Sequence, residues 1–328
     1  MNKSDQYKWK VCVRCFTFNH SPYILDTLNG FCIQKTNFPF VCVIVDDAST
    51  DGEQDVIRHY LQDYFDLENS SVVLREETDN YSLIFAQHKN NKFCYFAVFC
   101  LKFNHYSKPD FKNRKFMYIS RWFDPAKYIA LCEGDDYWID SLKLQKQVDF
   151  MECHPKHSLC IHAYRRDTIT GDKTTEEFFY NYTNDIEVIP DNDVLKGTGM
   201  FAATASMVYR NISVNDYPDW AKRAPVGDRP LQLVLFSRGN IGYLNEVMSV
   251  YRVGVSGSWT ERILRNKNAR KDRRRRFFQM YNDFDEWTNG KYHLLIRKAL
   301  CDLRKAILIN DVSSFLLKPY SYLKRKYS

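Results

Sequence analysis

The sequence predicts an α/β fold, a mostly parallel, doubly wound sheet flanked by helices, on three observations. Val11 to Thr17 and Phe40 to Val45 are short, β-rich apolar runs of the kind buried on both faces of a parallel sheet. Helix-like segments alternate with them. The run Lys127 to Cys132 repeats the arrangement of the second, since both end abruptly in acidic residues: Asp46-Asp47 after one, Glu133-Gly134-Asp135-Asp136 after the other.

Taken in order, Val11 to Thr17 predicts the first strand and Tyr23 to Cys32 a helix, which Gly30 weakens by about 1 kcal/mol relative to Ala. Phe40 to Val45 predicts the second strand. Thr50-Asp51-Gly52-Glu53 has capping-box spacing, so a helix is expected to start there and to run through Val56, Ile57, Tyr60, Leu61 and Tyr64. Ser71 to Arg75 reads as a third strand, and residues 79 to 127 as loop or insertion, because their aromatics lack clean periodicity. After the Lys127 to Cys132 strand, Leu144, Val148 and Met151 predict a helix closed by His154-Pro155, followed by a Ser158 to Tyr164 strand. Residues 165 to 193 read as loops with short strands. Phe201 to Tyr209 reads as a strand, Leu231 to Phe236 as a helix entered after Gly227-Asp228-Arg229-Pro230, and Ile241 to Tyr251 as short strands. A helical tail follows Glu261, with Phe277, Met280, Tyr281, Phe284 and Trp287 at helical spacing. The division expected is a catalytic domain over 1–260 and a basic helical extension over 261–328.

The chain has 328 residues and a formal net charge of +7, a mild bias that suits an anionic substrate or a membrane surface and does not call for nucleic acid. Most of the excess lies after Arg262. Ten cysteines sit mostly inside apolar runs, as reduced thiols that pack like small hydrophobes, which reads as cytoplasmic. The first residues carry no apolar signal region, and no apolar stretch of about 20 residues offers a spanning helix. Cys12-Val13-Arg14-Cys15 has C-x-x-C spacing, but residues three apart on a strand face opposite sides and cannot share a metal. Cys153, His154, His157, Cys160 and His162 gather chelating side chains across a helix end and a strand. Packing is the first explanation for them, zinc the second.

Ligands of an open parallel sheet bind beyond the carboxyl ends of its strands, so the two acidic clusters are expected to face one crevice. Paired carboxylates there suit Mn²⁺ or Mg²⁺, which complete their shell with phosphate oxygens and water, and the substrate implied is a nucleoside diphosphate. One Asp pair alone would be an ordinary polar turn. Two, each behind a buried run, favour a site.

Thr17-Phe18-Asn19-His20, Val45-Asp46-Asp47-Ala48-Ser49-Thr50-Asp51-Gly52, Ala130-Leu131-Cys132-Glu133-Gly134-Asp135-Asp136-Tyr137-Trp138, Gly227-Asp228-Arg229-Pro230-Leu231 and Tyr243 to Arg252 occur in this order. Together they resemble the family-2 glycosyltransferases, bacterial surface-polysaccharide enzymes above all, over roughly residues 9 to 260. The resemblance implies a GT-A fold and inverting transfer of a sugar from a nucleotide-sugar donor to a glycan or lipid-linked acceptor. It implies that Asp47, with Asp46 beside it, receives base and ribose, that Thr17 and Asn19 line the same pocket, and that Glu133-Gly134-Asp135 is the DXD element with Asp135 as metal ligand. Glu133 stands where Asp is commoner. Asp136 would adjoin the cofactor, and Asp228 would be the catalytic base. Relatives often carry a histidine near Val253-Gly254, which this chain lacks.

Trp138 is expected to wall the donor or acceptor sugar, whereas Trp259 reads as core. The basic run Lys271 to Arg276, with the apolar positions from Phe277 onward and the mixed Ile307 to Lys326 segment, is expected to meet an anionic membrane and bring the enzyme to a lipid-linked acceptor. Two rival functions are a sugar-phosphate nucleotidyltransferase, for which Thr17 to Pro22 lacks a Gly-rich, basic phosphate loop, and a catalytically idle sugar- or lipid-binding module.

Overall fold

The computed structural model describes residues 8–70, 72–111, 114–196, 201–213, 216–255 and 267–309, with backbone alone for 267–270 and 306–309. Its elements are β1 (Trp9–Thr17), α1 (Ile24–Cys32), β2 (Phe40–Asp46), α2 (Glu53–Tyr64), β3 (Phe65–Asp66), β4 (Leu74–Glu77), β5 (Tyr81–His88), β6 (Cys94–Leu101), α3 (Arg114–Phe123), β7 (Ala126–Leu131), β8 (Tyr137–Trp138), α4 (Lys143–Cys153), β9 (His157–Thr170), β10 (Lys173–Phe179), α5 (Asp191–Leu195), β11 (Val208–Arg210), α6 (Asp219–Lys222), α7 (Asp228–Arg238), β12 (Asn240–Val253), α8 (Lys267–Trp287) and α9 (His293–Ile309).

One sheet organises the molecule. Its centre is the parallel run β6-β2-β1-β7, continued by antiparallel β11 into the parallel pair β9-β12. Every residue of β2 is buried, and its side chains alternate between two cores. Val41, Val43 and Val45 pack with α3, α7, α8 and α9, whereas Phe40, Cys42 and Ile44 pack with α1, α2 and α4. Period-two alternation with both faces covered explains the unbroken apolar run.

Several expectations change. The third parallel strand is β6, inside the region read as loop. β4 is an edge strand pairing antiparallel with β5, and of its residues only Glu76 is even half-buried. β6 is hidden in the sequence because Cys94 to Leu101 is apolar on both faces and crowded with aromatics, so neither period shows. The same region also supplies β5 and α3. β9 runs on to Thr170 and pairs with β10, so that the region read as loops with short strands begins with a long hairpin. Ile241 to Tyr251 belongs to one long, irregular strand, and of Phe201 to Tyr209 only the end is extended.

Cys12 and Cys15 face different cores, as strand geometry requires. The boundary expected at 260/261 lies outside the described residues, as do Trp259 and residues 310–328. The two helices beyond it place Phe277, Met280, Tyr281, Phe284, Ile296 and Leu300 in the core shared with the sheet. Among the described residues no helix is long and apolar enough to cross a membrane.

Candidate active site

The loop after β7 is pressed onto the end of β1. Cys132 N donates to the Arg14 carbonyl (3.2 Å) and Gly134 N to that of Phe16 (3.1 Å). A Cβ on Gly134 would lie 2.0 Å from Thr17 Oγ1, so only glycine permits this approach. Thr27 of α1 holds the same loop through the Gly134 and Asp136 carbonyls (3.0 and 2.6 Å). Arg252, at the end of β12, completes the clamp. Its N donates to Asp136 Oδ1 (2.9 Å), its Nη1 to the Asp135 carbonyl (3.0 Å) and its Nη2 to Asp26 of α1.

The two acidic clusters meet different surroundings. Asp47, 3% exposed, accepts from His105 N (2.7 Å), Tyr106 N (3.1 Å) and Lys115 Nζ (2.9 Å). Asp46 is fully buried, and its Oδ1 accepts from Ser49 N (3.0 Å) and Gln54 Nε2 (2.5 Å). Its Oδ2 has no partner among the described residues, and burial raises its pKa. Glu133 and Asp135, in contrast, stay half-buried at the crevice. Asp135 Oδ2 lies 3.7 Å from His20 Nε2. Desolvation, reinforced by the nearby carboxylates of Asp135 and Asp228, pushes the Glu133 carboxyl up to about 7 against the opposing pull of Arg14 and Lys115.

Asp228 is exposed at the first turn of α7, where its Oδ1 accepts from Arg229 N (2.8 Å). The charges of Asp135 and Asp228 both act on Glu133. Lys115, which grips Asp47, also acts on Glu133, so the two strand ends lie side by side.

Such crowding of carboxylates disfavours negative charge and fits a divalent cation. Among the described residues no three His, Cys, Asp or Glu side chains group to hold a metal alone. Asp135, with Glu133 beside it, would supply the one or two carboxylates that Mg²⁺ or Mn²⁺ takes from protein when phosphate and water fill the remaining positions.

Other expected residues play different parts. Thr17 does not line the pocket: it is 3% exposed beneath Gly134, and its hydroxyl donates to Glu53 Oε1. Asn19 clamps the turn after β2, its Oδ1 accepting from Thr50 N (2.8 Å) and its N donating to Ser49 Oγ (2.9 Å). Asp136 turns its buried carboxylate away from the crevice to the Arg252 amide. Trp138 is core, 1% exposed, with Nε1 donating to the Ala205 carbonyl (3.0 Å) and its ring edge-on to Phe31, so it cannot wall a sugar. The chelating cluster is dispersed: Cys153 is exposed, Cys160 buried, and the ring nitrogens His157 Nε2 and His162 Nδ1 bond backbone carbonyls.

Sequence reasoning missed four residues. Glu53 is no capping residue, since Gly52 is the N-cap and Glu53 is fully buried. It accepts from Thr17, from His20 N (2.9 Å) and from Ser49 Oγ (2.8 Å), tying the ends of β1 and β2 together. Lys115 and Arg14 supply the cations of the crevice and lie over the Phe16 ring at 5.1 and 5.2 Å. A lone arginine inside the apolar Val11 to Thr17 run was the available signal for Arg14. Arg252 stood in a quoted motif without a role.

Residues 13–83 match the family model for glycosyl transferase family 2. Over its whole length the chain is similar in fold to S. aureus TarS 1-349, seen in complex with UDP (14% identity, 96% of this chain and 77% of that one, TM-score 0.55) and with UDP-GlcNAc (15%, 94% and 76%, TM-score 0.56). The fold is thus that of the GT-A glycosyltransferases. Uncharacterised proteins of Mycobacterium tuberculosis and Mycobacterium bovis are 29% identical over 311 residues, which span 92% of this chain and 72% of theirs.

Proposed function

We propose that this protein is a family-2 glycosyltransferase that moves a sugar from a nucleoside-diphosphate donor to a hydroxyl of a glycan or lipid-linked acceptor, in a single displacement with inversion, as a step in surface-polysaccharide synthesis. What supports the reading is that Asp135 and Asp228 both act on the half-buried Glu133, beside the Asp47–Lys115 ion pair at the neighbouring strand end. TarS, similar in fold, binds UDP and UDP-GlcNAc, and this supports the donor class.

Asp228 is the base in this reading: exposed and accessible, it takes the proton of the acceptor hydroxyl as that oxygen attacks the anomeric carbon. Mn²⁺ or Mg²⁺, held by Asp135 with Glu133 alongside, would neutralise charge developing on the departing diphosphate. Lys115 and Arg14 bring fixed positive charge to the same side of the crevice. Asp47 receives the nucleotide base, whose N–H groups take the place of the His105 and Tyr106 amides now on its carboxylate.

The test is a thermal-shift screen against UDP-, GDP-, dTDP- and CMP-sugars with and without Mn²⁺. One of them is expected to stabilise the protein in a metal-dependent way, and stabilisation by none overturns the reading. Asp228→Asn should then lower kcat about 10²–10⁴-fold with little change in donor KM. Donor hydrolysis that disappears with chelator separates an enzyme from an idle binding module.

A further inference from the structure

Arg14 interrupts the apolar run of β1 on the face that it shares with Cys12 and Phe16. Its guanidinium lies over the Phe16 and Phe116 rings, at 5.2 and 5.8 Å, and Phe116 is itself exposed. The side chain is half-buried, and its Nε is sealed from solvent with no hydrogen-bond partner among the described residues. Two ring faces offset only part of what it costs to desolvate such a group. An anion on the planar fork of the guanidinium offsets the rest.

The other cations near the acidic residues are engaged. Lys115 is paired with Asp47 at 2.9 Å. Arg252 bonds Asp26 and the Asp135 carbonyl. Arg273 belongs to the basic helix, which Arg276 Nη2 pins to the Arg223 carbonyl (2.8 Å), and the charge of Asp228 acts on it. Arg14 does pull on Glu133, but burial outweighs that pull and keeps the Glu133 carboxyl up at about 7, which is the state of an acid that has formed no tight ion pair.

Both Arg14 and Asp228 act on Glu133, and both act on Tyr217. With Asp228 as the base and Asp135 as the anchor of the diphosphate's cation, the sugar in transit has to lie between them, because the attacking hydroxyl enters opposite the departing diphosphate. Arg14, which shares Glu133 and Tyr217 with Asp228, is the uncommitted cation that meets this sugar.

We propose that the transferred sugar carries a carboxylate, as a uronic acid does, and that Arg14 is the specificity-determining residue, its guanidinium receiving both carboxylate oxygens. This rests on the reading of Asp228 as base and Asp135 as metal anchor. A neutral hexose leaves the guanidinium without its anion and is rejected on that account.

The test is titration calorimetry of the full chain in Mn²⁺ with donors that differ only at C6 of the sugar. UDP-glucuronate is compared with UDP-glucose, dTDP-glucuronate with dTDP-glucose and GDP-mannuronate with GDP-mannose, alongside the free nucleoside diphosphates. In one pair the uronate is expected to bind at least about tenfold more tightly, the scale of a hydrogen bond between charged groups. Arg14→Met is expected to abolish that preference while binding the free diphosphate as before, and Arg14→Lys to keep part of it. Neutral sugars bound as tightly as uronates overturn the inference, and this comparison needs the wild-type chain alone, whether or not a variant folds. A preference that survives Arg14→Met overturns it too. Equal losses of uronate and free diphosphate in Arg14→Met make Arg14 a diphosphate ligand and overturn it as well. A protein that binds a nucleoside diphosphate yet prefers no uronate loses this inference alone. One that binds no nucleotide loses the donor reading with it.

Discussion

The acids after β2 and those after β7 follow the same kind of apolar run, yet they end in opposite electrostatic states. Asp46 and Asp47 are sealed, and the charge of Asp47 is quenched by a lysine 68 residues away and by two backbone amides. Glu133 and Asp135 remain half-buried, and desolvation, aided by the charges of Asp135 and Asp228, holds the Glu133 proton up to about 7. The fold buries one acidic pair, with Asp47 paired to Lys115, and leaves Glu133 and Asp135 half-buried.

The sharpest way to break this contrast is Asp135→Ala. The Mn²⁺-dependent part of any nucleotide-sugar thermal shift should vanish, and activity should fall by at least about 10²-fold, the scale on which preorganised electrostatic groups act. Normal metal dependence in this variant would remove the distinction between the two clusters. Next comes Lys115→Met, which strands Asp47 beneath its amides. Breaking a buried ion pair by removing one partner costs about 3–5 kcal/mol, so denaturant unfolding should show a loss of that order, most of it recovered when Asp47→Asn is added.

A smaller effect concerns pH. Glu133, with its pKa raised, keeps its proton in the folded state where the unfolded chain has already lost it. Its contribution to stability is therefore complete below the ordinary glutamate value and fades as pH climbs through about 7. In Glu133→Gln the melting temperature should lose that decline, and in the wild type Mn²⁺ should move the decline to lower pH. Smallest is Trp138→Phe, which leaves the Ala205 carbonyl without its buried donor. A stability loss of about 1–3 kcal/mol with donor KM unchanged is expected, and a large rise in KM would return Trp138 to the crevice.

Much of the frame was legible. The runs of β1, β2 and β7, the helices after β1 and β2, α4, α7 and the acids at two strand ends all follow from local period and from which residues tolerate burial. β6 was not legible, because a strand buried on both faces and rich in aromatics carries no alternation. Glu53 was misread for a different reason: capping-box spacing describes the near end of a helix, while its carboxylate is used by Thr17, His20 and Ser49 across the crevice floor.

By itself, then, the order of residues determined the layering of the sheet, the position of acids beyond its strands and the place of Asp228 at the start of a helix, since each depends on neighbours a few positions away. Only the tertiary structure decided which of those acids keep a face to the crevice, that Trp138 is sealed in the core and that the basic helix lies beside Asp228. Charge state and exposure are set by groups brought together from distant parts of the chain, and desolvation has no signature in any short stretch of it.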